Sequence, residues 1–167
     1  MPLPFDPIEE ARRQWTDHGW GAVDAMSAVT SITRAHQIVL GRINDLLHPF
    51  GLTFSRYEAL VLLTFSREGA LPLGKMGSRL MVHPTSVTNT IDRLERAGLV
   101  RRVGHPDDRR TVLAEITDDG RAIVKQATDA LVEAQFGVGT LPTASLRDLD
   151  AALRDLRHDA GDFTGED

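Results

Sequence analysis

No cysteine occurs anywhere in the 167 residues, which excludes disulfides, zinc–thiolate sites and thiol redox sensing together. Long apolar runs are missing too, so no membrane span is expected. The opening residues, MPLPFDPIEE, lack the basic and apolar regions of a secretory signal, and a cytoplasmic protein is the expectation. Aromatics are few, at 5%, and no segment is of low complexity. Catalytic signatures are equally scarce. Ser86 lies in no Gly-x-Ser-x-Gly elbow, and no glycine-rich loop is placed to cradle a phosphate. The histidines at 18, 36, 48, 83, 105 and 158 include no pair spaced i, i+4 for a helical zinc site. Neither enzyme activity, nor a metal, nor a cofactor is expected.

What is present centres on residues 73–116. Val87, Ile91 and Leu94 recur at i, i+4 and i+7, the spacing of a helix with one face in a core. At about 100° per residue, Thr85, Asn89, Asp92, Arg93 and Arg96 then fall on the opposite face. Short polar groups come first and arginines later. A helix entering the DNA major groove needs that order, with its N-terminal residues at base edges and its cations at phosphates. Pro84 suits the first helical position. Leu73, Met76 and Leu80 predict a short helix before it, with Met81, Val82 and His83 as the turn of a helix-turn-helix. Gly98 fits a C-terminal cap. Two strands should follow, Val100 to Val103 and a returning one in which Val112, Ala114 and Ile116 alternate with polar neighbours. Between them, Gly104-His105-Pro106-Asp107-Asp108-Arg109-Arg110 reads as the charged tip of a wing, whose arginines can enter a narrow minor groove.

Charge supports a local nucleic-acid footprint. The chain as a whole carries −5, yet from Lys75 to Arg110 eight cations face four acids, a net +4.

The order and spacing of HPTSVTNTIDRLERAGLVRR, HPDDRRTVLAEIT and TDDGR resemble the MarR family of bacterial winged-helix transcriptional regulators over residues 24–157. The resemblance implies a mainly α fold with a small β-hairpin wing, a winged helix-turn-helix between N- and C-terminal dimerisation helices. It implies double-stranded operator DNA as a partner, a homodimer, and repression relieved by a small molecule. Thr85, Ser86, Thr88, Asn89 and Arg93 would contact bases or phosphates. Asp108 and Arg110 match the family's Asp-x-Arg wing motif, and of Arg109 and Arg110 one would hold the loop while the other touches DNA. A family subgroup that senses urate and related aromatic anions uses an N-terminal tryptophan, an acidic residue and arginines. By position Trp15, Glu58 and Arg102 would form such an aromatic- or anion-binding effector site, although Thr90 stands where that subgroup has another arginine. A second reading of Trp15 and Trp20 is that they pack a terminal helix onto the body.

The remaining segments supply the frame. A helix is expected from Pro7 to His18, and a long amphipathic one from Asp24 to His48, stopped by Pro49. Ser55 and Glu58 form a capping-box pattern for a helix reaching Arg67, with Leu60, Val61, Leu63 and Phe65 mostly buried. Thr117 can cap another, with Asp118 and Asp119 favourable in its first turn. A last helix near Pro142 spaces Leu146, Leu149, Leu153 and Leu156 in a narrow seam, suited to a second chain or to an intramolecular core. The expected division is 1–50 for N-terminal dimerisation helices, 51–117 for the winged helix, 118–159 for C-terminal dimerisation helices, and 160–167 for a disordered tail. The alternative function is a winged-helix protein-interaction module, which would expose an apolar patch where this sequence places polar groups.

Overall fold

The computed structural model describes residues 3–106, 108 and 110–165. Helix α1 (Pro7–Asp17) starts where Asp6 accepts the Ile8 N–H at 2.8 Å, and α2 (Val23–Leu47) follows a turn through Gly19 and Gly21. A 3₁₀ turn at His48–Phe50 leads to α3 (Phe54–Phe65). Then come β1 (Ala70–Pro72), α4 (Leu73–Leu80), α5 (Pro84–Arg96), β2 (Val100–Gly104) and β3 (Val112–Ile116). Helix α6 (Asp118–Glu133) and α7 (Thr143–Asp159) end the chain, joined through a 3₁₀ turn at Gln135–Gly137. This is the expected mainly α winged-helix architecture. Among the described residues, no helix is long and apolar enough to cross a membrane, and no group of three His, Asp or Glu could hold a metal ion.

One core joins the middle of the chain. Leu47, Leu60, Leu63, Met76, Ile91, Leu94, Val100 and Leu131 are fully buried, drawing on α2, α3, α4, α5, β2 and α6. Each such side chain contributes about 1.5–3 kcal/mol relative to exposure. The sheet is three-stranded and antiparallel in the order β1-β3-β2, with Leu71 and Arg102 flanking Ala114 on either side. The expected two-stranded wing thus gains β1, three residues too short to show an alternating pattern.

Two local expectations are corrected. The Ser55–Glu58 capping box does not form: α3 begins two residues earlier, Thr53 is its N-cap, and the Phe54 N–H donates to Asn44 Oδ1 of α2 at 2.9 Å. Phe65 is not buried but 81% exposed. It lies about 140° around the helix from Leu60 and 200° from Leu63, whose sides face the core. In α6 the buried positions are Gly120, Val124, Ala127 and Leu131, with Ile123 at the margin.

Close approach explains one glycine of the TDDGR motif. A β-carbon at Gly120 would stand 2.2 Å from the Leu99 carbonyl oxygen, so the first turn of α6 seats directly against the chain entering β2. Thr117 clamps the same junction. Its hydroxyl donates to the Gly98 carbonyl at 2.8 Å and accepts the Gly120 N–H at 3.0 Å. Its backbone N–H donates to Leu99 at 3.1 Å.

The two ends of the chain are different. Neither α1 nor α7 contains a buried residue. Trp15 and Trp20 meet edge to face at 4.8 Å, and the Trp15 indole N–H donates to the Gly21 carbonyl at 2.9 Å. Beyond α7 the chain turns back within 160–165, bringing the Phe163 ring against the guanidinium groups of Arg154 and Arg157.

Candidate nucleic-acid interface

The candidate reading helix is α5. Pro84 occupies its first position, and His83 caps it, with Nδ1 accepting the Thr85 N–H at 3.3 Å. Met81 adopts a left-handed conformation (φ 55°) that ends α4 and turns the chain toward α5. Val87, Ile91 and Leu94 point into the core, none more than 2% exposed. Thr85, Ser86, Thr88, Asn89 and Arg93 are all exposed, so the five positions expected to face DNA share the solvent side of one helix. The Thr88 hydroxyl donates back to the Pro84 carbonyl at 3.2 Å, leaving its lone pairs outward. At the far end Gly98 takes a positive φ of 73°, and the Gly98 and Leu99 N–H groups return to Glu95 and Leu94. The C-terminus of α5 is therefore closed by backbone alone.

The wing is tied to this helix by an ion-pair triad that the spacing of residues did not reveal. The Arg102 guanidinium in β2 pairs with Asp92 and with Glu95, both on α5. Its backbone N–H donates to Glu95 Oε1 at 3.1 Å. The Asp92 carboxylate first, and Glu95 after it, raise the Arg102 pKa against the opposing effect of partial burial. Two acids three residues apart on a helix, followed by a double arginine, were the available signal. Arg101 points the other way and pairs with Glu115 across the strands at 2.7 Å.

At the wing tip Asp108 spends its carboxylate on the loop. It accepts the Thr111 hydroxyl at 2.7 Å and the Arg110 backbone N–H at 3.0 Å, which together hold its pKa below the usual carboxylate range. His105 closes the loop by donating its N–H to the Thr111 carbonyl at 3.1 Å. Arg110 is exposed, and Arg109 lies outside the described residues.

The three effector candidates are not brought together within the chain. Trp15 sits beside Trp20 on α1, Arg102 is committed to Asp92 and Glu95, and Glu58 lines a cleft between α3 and α5 with Thr90.

Comparison with known proteins places this geometry. The sequence model of the MarR family matches residues 54–112. The solved structure of Sco5413, a MarR family transcriptional regulator from Streptomyces coelicolor, is 53% identical with a TM-score of 0.80. The match covers 86% of this chain and 100% of that one. The HTH-type transcriptional regulator YhbI of Bacillus subtilis, itself uncharacterized, is 34% identical over 71% of each chain. Sco3205, a MarR family regulator from Streptomyces coelicolor solved in complex with DNA, shares the fold. Its TM-score is 0.74 at 21% identity, over 84% of this chain and 89% of that one. A winged helix with its polar face outward, matched over 86% of the chain by Sco5413 and over 71% by YhbI, identifies the chain as a member of the MarR family of transcriptional regulators.

Proposed function

We propose that the chain acts as a homodimeric repressor that binds a palindromic operator and is released by a small molecule. The observation that carries this reading is the division of α5 into a core face and a solvent face bearing Thr85, Ser86, Thr88, Asn89 and Arg93. Thr85, Ser86 and Asn89, in the first turns, suit base edges and nearby phosphates, and Arg93 a guanine edge or a phosphate. Arg109 and Arg110 suit the minor groove beside the wing. Asp108 supports them indirectly, by shaping the loop that carries them.

The dimer reading rests on unpartnered apolar surface. Val29 and Ile32 on α2 and Leu149 and Leu156 on α7 are between 40% and 63% exposed. A second copy related by a two-fold axis would cover them and set two α5 helices about 34–36 Å apart, one turn of DNA. An effector releases such a dimer only by preferring a different spacing of the two reading helices, since equal affinity for both arrangements shifts nothing.

The test is selection from a pool of randomised duplexes, followed by gel-shift titration with unrelated DNA as competitor. The expected product is an inverted repeat bound in the presence of competitor. Failure to enrich any sequence would replace the operator reading with that of a protein-interaction module.

A further inference from the structure

The turn that joins α6 to α7 is wound against the preference of its own residues. Gln135, Phe136 and Gly137 all take positive φ, at 46°, 51° and 73°, so three residues in a row are left-handed. Glycine accepts that region, but glutamine and phenylalanine are disfavoured there, because the β-carbon crowds the following carbonyl oxygen. Asn, Asp and Gly are the usual residues of such a turn. Local preference points to a different path. Ala134, Gln135 and Phe136 all tolerate a right-handed helix and Gly137 is a fitting stop, so α6 has a ready continuation of three residues, about 4.5 Å of rise.

Contacts hold the left-handed form in place. The Gly137 N–H donates to the Ala134 carbonyl at 2.9 Å, and the Val138 N–H to the Gln135 carbonyl at 3.0 Å. From α2, Arg42 Nη1 donates to the Gly137 carbonyl at 2.8 Å. A β-carbon at Gly137 would stand 3.0 Å from the Arg42 Cβ, so the arginine stem lies directly against the turn. Beyond the turn the chain is loosely held. Helix α7 contains no buried residue, and its Leu149 and Leu153 face α2 across an open cleft.

We propose that the α6–α7 joint is a two-state hinge latched by Arg42. In the latched state, seen here, Gln135 to Gly137 are left-handed and Arg42 holds the Gly137 carbonyl. In the released state that bond is broken, α6 runs on to Phe136, and α7 leaves its place beside α2. Backbone strain of this kind persists only where surrounding contacts impose it, and it collects at switch regions. Here the imposing side chain is an exposed arginine on another helix, so the strain and the latch are separable. The inference rests on the reading of the chain as a dimer that α7 helps to assemble, and it names the joint at which that assembly can change. Helix α6 is rooted in the core through Val124, Ala127 and Leu131. A change of angle at its end therefore moves α7 against the winged helix as a whole, and with it the separation of two reading helices in a dimer.

The test is pulsed electron spin resonance on the full chain, which has no cysteine of its own to compete for labels. Spin labels go on two exposed positions, Glu68→Cys beside the winged helix and Asp148→Cys on α7. Labelled chain is diluted into unlabelled chain, so each distance is read within one copy. The parent should give one dominant distance. Arg42→Met, which keeps the stem and removes the donor, should raise the share of a second distance about tenfold. Adding Gln135→Gly should return most of that share to the first distance, because glycine takes the left-handed form without a penalty. Circular dichroism checks that each variant folds. An unchanged distance in Arg42→Met, or a second population that Gln135→Gly leaves alone or enlarges, would overturn the inference. Gel shift on selected duplexes with the half-sites moved one base pair closer or further apart separates the two readings. A hinge that moves in Arg42→Met while the preferred spacing holds upholds the joint and removes its bearing on the operator. Parent chain that binds no duplex specifically tells against the operator reading and leaves the distances to decide the hinge.

Discussion

Helices α5 and α7 both carry apolar residues at three- and four-residue spacing, but the chain treats them in opposite ways. In α5, Val87, Ile91 and Leu94 are at most 2% exposed; in α7, Leu149 and Leu156 remain 47% and 55% exposed. Spacing states that a helix has an apolar face and is silent about what covers it. For α5 the cover is α3, α4 and the sheet, all within the same chain. For α7 the chain supplies only a partial one, with Leu149 and Leu153 facing Ile32, Val39 and Ile43 of α2 across an open cleft. The winged helix is thus complete in one copy, whereas the terminal helices present a surface that a second copy would complete.

The sharpest way to break that contrast is to charge the α7 seam. Leu149→Glu combined with Leu156→Glu should leave the fold intact, because both side chains are exposed within the chain. Sedimentation should then find monomers, and operator affinity should fall about a hundredfold or more as the two half-sites lose their linkage. An undisturbed dimer would show that α7 needs no partner. On the reading side, Arg93→Ala should cost about 1–3 kcal/mol in operator binding if it reads a base. A merely shallower salt dependence would reassign it to phosphate. Arg109→Ala with Arg110→Ala should weaken binding without unfolding the chain, measured by gel shift beside circular dichroism.

Within the core the contrast becomes one of stability. Gly120→Ala should cost about 1–3 kcal/mol in denaturant unfolding, since its β-carbon would collide with the Leu99 carbonyl. Gly74→Ala, which meets nothing within 4 Å, should leave stability unchanged or slightly raised. The smallest effect concerns Glu58. Its pKa is raised in the folded chain by loss of water, so its ionised form opposes folding. Glu58→Gln should therefore raise the melting temperature at neutral pH. The gain should shrink as pH falls through the carboxylate range and vanish below it, where both states are protonated. A gain that persists in acid would point to a cause other than charge.

Much of this architecture was legible in the residues. Pro84, the Val87–Ile91–Leu94 spacing and Gly98 define α5 from one end to the other, and Thr117 with Asp118 and Asp119 defines the start of α6. These signals are local, each a matter of capping or of one face repeating. What stayed hidden depends on partners distant in the chain. Asn44 takes the Phe54 N–H and moves the start of α3; β1 exists because β3 pairs with it; Arg102 turns inward because Asp92 and Glu95 await it on another element. Phe65 is a different case, for the helical wheel already set it opposite Leu60 and Leu63. Of the site residues, the exposed set on α5 follows from the same local periodicity. Asp108 was legible by type but not by role, since its carboxylate serves Thr111 and Arg110 inside the loop.

The most direct test of the account is the stoichiometry and symmetry of the DNA complex: sedimentation of the chain on a selected duplex, with hydroxyl-radical footprinting of the same complex. Two chains per duplex and a protected inverted repeat, its half-sites one helical turn apart, is the predicted result. A single chain on an asymmetric site would contradict the reading of α7 as a surface for a second copy, and with it the two-fold operator.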